Sequence, residues 1–411
     1  MPEDKKDKPV ASVVLLAYNQ LQYTKKCVES LFRHTSDVEY ELITINNGSS
    51  DGTEEYFNSL PNEKKISFPE NVGVDKAINC GFRIAEGKYT LNLSNDIVVT
   101  PRWLKNLVAC ADSDEKIGMV VPVCNFSSNH QTIGLPYGSL EELDQITQLY
   151  NKSNPALWEE RLRLITYTCL FRTDLQKEIG GFDEEFNPGA YDDDAISFTL
   201  RRKGYRLILA KDTYVHHFGS ITFGAEYAKN NLAARNRALF MRKFGVDPWG
   251  ATMIDHEIVA LADYSRKGEV NILGVGQSCG ASLLQIKNGY RARGLFDVTL
   301  CYLSQATYNV TDLATVCNTC RVAPPNEVNK HFGQEQFDLI VVESETDKIQ
   351  KLEAFYEDIC NLIKPGGRLI TTVANGLLPR IEQTLVRNGF QRANSLKEYY
   401  FAFDKPNAVI E

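Results

Sequence analysis

Apolar residues recur along this chain with two alternating periods. Short β-branched or apolar runs at Val10–Tyr18, Leu42–Ile45, Lys65–Phe68, Tyr89–Leu93 and Met119–Val123 predict strands. Between them, Leu21 to His34 sets Val28, Leu31 and Phe32 at helical spacing. Val74 to Ala85 does the same with Ile78, Phe82 and Ile84, and Pro101 opens a third helix carrying Trp103, Leu104, Leu107 and Val108. Strand-helix-strand alternation predicts a parallel sheet covered on both faces. From Asn125 to about Trp158 the pattern breaks into polar, Gly- and Pro-containing sequence, which reads as a long functional loop over a site. A strand over Leu164–Phe171, the turn Gly180-Gly181-Phe182-Asp183, a helix from Asp193 to Lys203 stopped by Gly204, a strand ending near His216 and a helix from Tyr227 to Phe244 complete this half.

The alternation restarts at Glu269. Strands are predicted over Val270–Val275, Val298–Leu303, Phe337–Val342 and Arg368–Val373. Helices are predicted from Ser282 and over Lys348–Ile363, with the turn Lys364-Pro365-Gly366-Gly367 before the last strand. The expected organisation is α/β: a charged tail over 1–9, a first domain over 10–250, a connector over 251–268 and a second Rossmann-like α/β domain over 269–411. There is no internal repeat or low-complexity tract.

Composition narrows the class. The 411 residues are 43% hydrophobic and 24% charged, enough apolar material for two cores and far from a disordered composition. The net charge of −8, with Arg201-Arg202-Lys203 as the densest basic run, excludes a nucleic-acid footprint. The first nine residues lack the apolar stretch of a signal peptide, and the longest apolar runs fall far short of the roughly 20 residues that span a bilayer. The expectation is a cytoplasmic protein that meets any membrane-bound acceptor peripherally. The 10 cysteines sit mostly in apolar runs, as buried thiols of a reducing compartment do. Cys317 and Cys320 form a C-x-x-C with only His331 nearby, a poor zinc signature.

Ligands of open α/β sheets bind outside the carboxyl ends of the strands. In the first half those ends are Ala17-Tyr18-Asn19, then Asn46-Asn47-Gly48-Ser49-Ser50-Asp51-Gly52-Thr53, then Ser94-Asn95-Asp96, with Asn71, Gly73, Ala77, Asn79 and Gly81 between them. With Gly180-Gly181-Phe182-Asp183, the acidic group Asp192-Asp193-Asp194 before Arg201 and Gly204-Tyr205, and the pair His216-His217, this ordered set resembles the family 2 glycosyltransferases over roughly residues 10 to 245. The resemblance implies a GT-A fold and a nucleotide-diphosphate sugar donor. It places Ala17, Tyr18, Asn19, Asn46, Asn47, Asp51, Asn71, Gly73, Asn79, Asn95 and Asp96 around the donor.

A sugar leaving a nucleotide diphosphate builds charge on the departing phosphate, which a divalent cation neutralises. The resemblance assigns a manganese or magnesium ion to Asp96, the last acid of the family's Asp-x-Asp, and to His216 or His217. Ser94 stands at the motif's first position, and hard cations need only one or two carboxylates besides phosphate and water. Inverting members use a carboxylate to deprotonate the acceptor hydroxyl. Counting back from Gly204-Tyr205 aligns that acidic pair with Asp192 and Asp193. Asp193 is the expected base and Asp194 the alternative, although Asp is also a common residue at helix starts. Asn46 replaces the family's base-contacting Asp, and an amide can still read a pyrimidine edge. Asp51 fits either a second acidic position or a helix cap.

Residues 269–411 resemble the Rossmann-like S-adenosylmethionine methyltransferases, through Phe337-Asp338-Leu339-Ile340-Val341-Val342 and Leu362-Ile363-Lys364-Pro365-Gly366-Gly367-Arg368-Leu369. The loop Gly274-Val275-Gly276-Gln277-Ser278-Cys279-Gly280 keeps Gly276 and Gly280. It has Gly274 where the family is acidic and Ser278 for a middle glycine, and Ser304-Gln305 stand where an acidic residue binds ribose. These departures weigh against S-adenosylmethionine and toward a binding or docking domain. The expected function is inverting, metal-dependent transfer of a hexosyl or N-acetylhexosaminyl group to a hydroxyl of a glycan, lipid-linked or protein acceptor. The alternatives are a bifunctional glycosyltransferase and methyltransferase, or a non-catalytic scaffold.

Overall fold

A computed structural model describes residues 8–219, 231–343, 346–374 and 376–407. The chain divides into two compact units, Met1–Phe244 and Gly245–Glu411.

The first unit is built on one mixed sheet. Its strands are β1 (Ala11–Ala17), β2 (Tyr40–Asn47), β3 (Lys64–Phe68), β4 (Tyr89–Ser94), β5 (Ile97–Val98), β6 (Ile117–Cys124), β7 (Trp158–Arg161), β8 (Thr168–Arg172) and β9 (Arg206–His217). They order as β3-β2-β1-β4-β8-β6-β9-β5, with β7 also on β9. The half from β3 to β4 is parallel, whereas β8 runs antiparallel to both β4 and β6. The all-parallel expectation is therefore corrected: β8 follows a connection long enough to enter the sheet from the opposite direction. Strand β1 is a continuous apolar run because it lies between β2 and β4 with both faces covered.

Helices α1 (Leu21–His34), α2 (Thr53–Ser59), α3 (Val74–Ile84), α4 (Trp103–Asp112), α5 (Leu140–Tyr150), α6 (Thr173–Ile179), α7 (Asp192–Arg202) and α8 (Leu232–Phe244) pack around this sheet. The stretch 125–158 is not one loop. Ser139 accepts a hydrogen bond from the Glu142 amide and so caps α5, while the Glu142 carboxylate accepts from the Gly138 amide. The strand expected over Leu164–Phe171 is only its second half, β8 from Thr168, and residues 162–167 between β7 and β8 carry site contacts. The predicted helix from Tyr227 begins at Leu232 here, and 227–230 lie outside the described residues.

Buried Asn236 on α8 donates to the carbonyls of Phe186, Gly189 and Ala190, just before α7. Asn236→Ala leaves these buried carbonyls without their donor, at a cost of about 1–3 kcal/mol. A lowered midpoint in thermal unfolding, together with weakened activity, is the expected result.

The second unit contains β10 (Val270–Gly276), β11 (Val298–Ser304), β12 (Thr319–Val322), β13 (Phe337–Val342), β14 (Ile363–Thr372), β15 (Gln391–Leu396) and β16 (Tyr400–Asp404). Their order is β12-β11-β10-β13-β14-β16-β15, parallel except for β16, which is antiparallel to both neighbours. Residues 251–268, read as a connector, fold with this unit. Asp255 caps the helix His256–Ala260 and accepts from the Tyr400 hydroxyl at 3.0 Å. The expected turn at 364–367 is part of β14. All ten cysteines are free. Among the described residues no helix is long and apolar enough to cross a membrane, and no group of three or more His, Cys, Asp and Glu is placed to hold a metal ion.

Candidate functional site

The carboxyl ends of β1 and β2 are tied together. The Asn19 amide donates to Ser49 Oγ at 2.8 Å, and the Ser50 amide donates to Asn19 Oδ1 at 2.9 Å. Asp51 accepts from the Leu21 amide at the start of α1 and from both the amide and hydroxyl of Thr53, which hold its carboxyl below the usual range against burial. Asp51 is thus a cap for two helix starts. Asn46 is 2% exposed; its Nδ2 donates to Ser67 and its Oδ1 accepts from the Ser49 amide. Its amide shapes the loop after β2 from inside. Ala17 is buried and Tyr18 half-buried at the end of β1.

The next stretch is a second set of backbone clamps. Asn47 donates to Asn71 Oδ1 at 3.0 Å and accepts from the Val72 amide, and Asn71 accepts from the Gly73 amide. Gly73 has φ 88 and ψ 161, a backbone region that only glycine occupies without strain. A Cβ there would lie 2.1 Å from the Asn187 side-chain amide, which itself donates to the Val72 carbonyl. Gly73→Ala is expected to destabilise the first unit by roughly 1–3 kcal/mol from the backbone alone, with a further loss from the displaced Asn187. Chemical denaturation measures it. Asn79, placed by sequence around the donor, is 2% exposed. It clamps the Phe182 backbone through both amide and carbonyl and donates to Glu184, so it holds the Gly180–Asp183 turn instead.

At the end of β4, Asn95 donates to Thr24 Oγ1 at 2.9 Å. Asp96, 9% exposed, lies with its Oδ2 at 3.2 Å from His217 Nε2. His217 is fixed from several sides. Its backbone is bracketed by the Asn125 side chain, its Nδ1 is 2.6 Å from the Phe126 carbonyl, and its ring stacks on Tyr167. Since a carbonyl only accepts, Nδ1 carries a proton, and Nε2 is the nitrogen that faces Asp96. Burial alone lowers the His217 pKa, but Asp96 overrides it and carries the group up to about 10. His216 is separate: its Nδ1 meets the Tyr137 hydroxyl at 2.6 Å, and burial, then His217, lowers it to about 4. Of the two histidines, only His217 faces Asp96.

Helix α7 brings in the acids. Asp193 Oδ1 accepts from both the amide and the hydroxyl of Thr166, while Oδ2 has no protein partner among the described residues. Asp194 pairs with Arg163 at 3.1 Å. Asp192 and Asp193 are half-buried. Burial, reinforced for Asp193 by Asp192 and for Asp192 by Asp75, holds both well above the usual carboxylate range.

Two adjacent residues join the halves of this crevice: Thr166 holds Asp193 and Tyr167 stacks on His217, while the Tyr167 carbonyl accepts from the Ser94 amide two residues before Asp96. On the other side, Asn187 connects the Asn71–Gly73 clamp to the start of α7. Sequence reading missed Thr166, Tyr167, Arg163 and Asn125. Each is an ordinary residue in a strand or loop, marked only by what it touches.

The Asp96–His217 pair fits a hard divalent cation. It offers one carboxylate and one imidazole whose far nitrogen is anchored to a backbone carbonyl, the usual support of a metal-binding histidine. Substrate phosphate oxygens and water supply the remaining ligands of such ions.

The loop after β10 does not fit a nucleoside cofactor. A Cβ on Gly276 would lie 2.8 Å from Glu343 Cγ and 2.9 Å from the Tyr302 hydroxyl, so those side chains occupy the space beside the strand end. The Tyr302 and Ser278 hydroxyls donate to Glu343 at 2.6 and 2.7 Å. Ser304 donates to Asn309, which in turn donates to the carbonyls of Gln277 and Ser278. The positions that would meet a ribose are engaged with each other. Gly274 is inside β10, with Tyr302 against it, and Gly280 starts the following helix.

Residues 12–176 match the Glycosyl transferase family 2 model. EpsH of Bacillus subtilis (strain 168), a glycosyltransferase by name, is 26% identical over 170 residues, 40% of this chain and 47% of its own. Validoxylamine A glucosyltransferase of Streptomyces hygroscopicus subsp. jinggangensis (strain 5008) is 22% identical over 240 residues, 52% of this chain and 56% of its own. The match thus spans about half the length of these relatives. Among solved structures, GalNAc-T7 with UDP, GalNAc and Mn2+ aligns with a TM-score of 0.42 at 16% identity, covering 52% of this chain and 44% of that one. Within the first unit, residues 12–176 are thus similar to the family 2 glycosyltransferases.

Proposed function

We propose that this chain transfers a sugar from a nucleotide-diphosphate donor to an acceptor hydroxyl with inversion at the anomeric carbon, in a GT-A type crevice. The observation that carries the reading is the Thr166-Tyr167 dipeptide, which touches both an acid with a free carboxylate oxygen and the histidine of an Asp–His pair in one crevice of the first unit. Asp96 and His217 hold a manganese or magnesium ion, which supplies charge neutralisation at the departing diphosphate. The loops around Asn19, Ser49 and Gly73 line the donor side. Asp193 Oδ2 takes the proton of the acceptor hydroxyl as that oxygen attacks. Burial makes Asp193 a stronger base than an ordinary carboxylate, and Thr166 keeps its other oxygen fixed.

The acceptor is a hydroxyl of a glycan, a lipid-linked glycan or a protein, in a cytoplasmic setting. The strand order of the second unit, with a single antiparallel strand next to its edge, supports the methyltransferase-like reading of its fold. Its filled crevice favours a binding unit over a second catalytic centre.

The test is donor hydrolysis or transfer over a panel of nucleotide sugars, with and without manganese or magnesium. Metal-dependent turnover of one donor supports the proposal. No turnover and no metal-dependent nucleotide binding would leave the scaffold reading standing.

A further inference from the structure

Asp75 lies in the first turn of α3, is 0% exposed, and neither of its carboxyl oxygens meets a hydrogen-bond donor among the described residues. An aspartate at a helix start ordinarily accepts from a backbone amide; this one does not. Its neighbours are acidic. The Asp192 carboxyl is within hydrogen-bonding reach, and Asp193, Asp183 and Glu184 act on it from further away.

An ionised carboxylate buried with no partner costs several kcal/mol, and two carboxylates in contact do not both ionise. One proton held between Asp75 and Asp192 satisfies both constraints. We propose that Asp75 is a positioning residue, accepting a hydrogen bond through this shared proton from Asp192 and so holding the acidic start of α7 with Asp193 facing the reaction centre. The inference rests on Asp193 acting as the base.

Burial, then the charges of Asp193 and Asp183, push the Asp75 carboxyl up to about 8. The folded state therefore binds a proton that the unfolded chain has released above the ordinary carboxylate range. Stability from this site falls as pH rises through that window and stops changing above about 8.

Asp75→Asn keeps an oxygen that accepts from Asp192 and removes the titration; Asp75→Ala removes both. In thermal unfolding across this pH range, the advantage of Asp75→Asn over wild type should grow with pH and level off near 8. In kinetics, Asp75→Asn should keep kcat. Asp75→Ala should lose about tenfold in kcat, the equivalent of one hydrogen bond of roughly 1.4 kcal/mol, with little change in KM. A stability difference independent of pH overturns the shared proton. Equal kcat values for the two variants overturn the positioning role. A wild type inactive on every donor overturns the transfer reading and the positioning role with it, while the unfolding series still decides the proton separately.

Discussion

Asp193→Asn is expected to lower kcat by roughly 10²–10⁴-fold, the range lost when a positioned general base is removed, with donor KM little changed. The substitution is nearly isosteric. The Asn Oδ1 still accepts from the Thr166 amide and hydroxyl, so the start of α7 stays in place while the oxygen that takes the proton becomes an amide nitrogen. A role confined to capping α7 would leave kcat close to wild type, because Asn caps helices as well as Asp. Steady-state kinetics with the preferred donor decides between them. The pH dependence carries a second signature. The raised Asp193 carboxyl must be ionised to act, so activity should fall with acidification from a higher pH than an ordinary carboxylate would give. A profile flat through that region, or an Asn variant within tenfold of wild type, would remove Asp193 from the reaction.

The parts of this crevice that were readable from the chain are those whose chemistry is carried by residue type. Three consecutive acids before a helix, an acid after β4 and a histidine pair at the end of β9 announce themselves. Strand β13 was predicted to the residue because Phe337–Val342 is buried on every side and bounded by polar sequence. The same logic overran at Leu164–Phe171, where β8 starts only at Thr168 and the Thr166 amide bonds Asp193 instead of a strand partner. Helix α5 went unseen inside the polar stretch although Ser139 and Glu142 spell its cap. Strand β15 escaped because Gln391–Leu396 is an exposed, polar edge with no apolar alternation. Choosing between His216 and His217 needed the fold: adjacent residues at a strand end face different ways, and only three-dimensional placement puts one against Asp96 and the other against Tyr137. Asn79 misled for the converse reason, since an amide beside a ligand loop and an amide that ties two loops together have the same sequence.

The second large effect concerns Asp96 and His217 as a unit. Asp96→Asn and His217→Ala are each expected to lower metal-dependent turnover on the order of 10²–10³-fold, since a cation at a developing phosphate charge supplies several kcal/mol. The double variant should lose little more than either single variant, because the second change removes a ligand from a site already unable to hold the ion. Additive losses would instead mean that the two side chains act separately, with their 3.2 Å contact an ordinary ion pair. Asn125 provides the graded control. It brackets the His217 backbone without reaching Asp96, so Asn125→Ala should raise the metal concentration needed for half-maximal activity by roughly 10–100-fold, as loss of a ligand's support does. Its turnover at saturating metal should stay near that of wild type. A titration of manganese against activity for these four variants separates a ligand pair from a structural one, because only a ligand pair makes the Asn125 defect reversible by added metal.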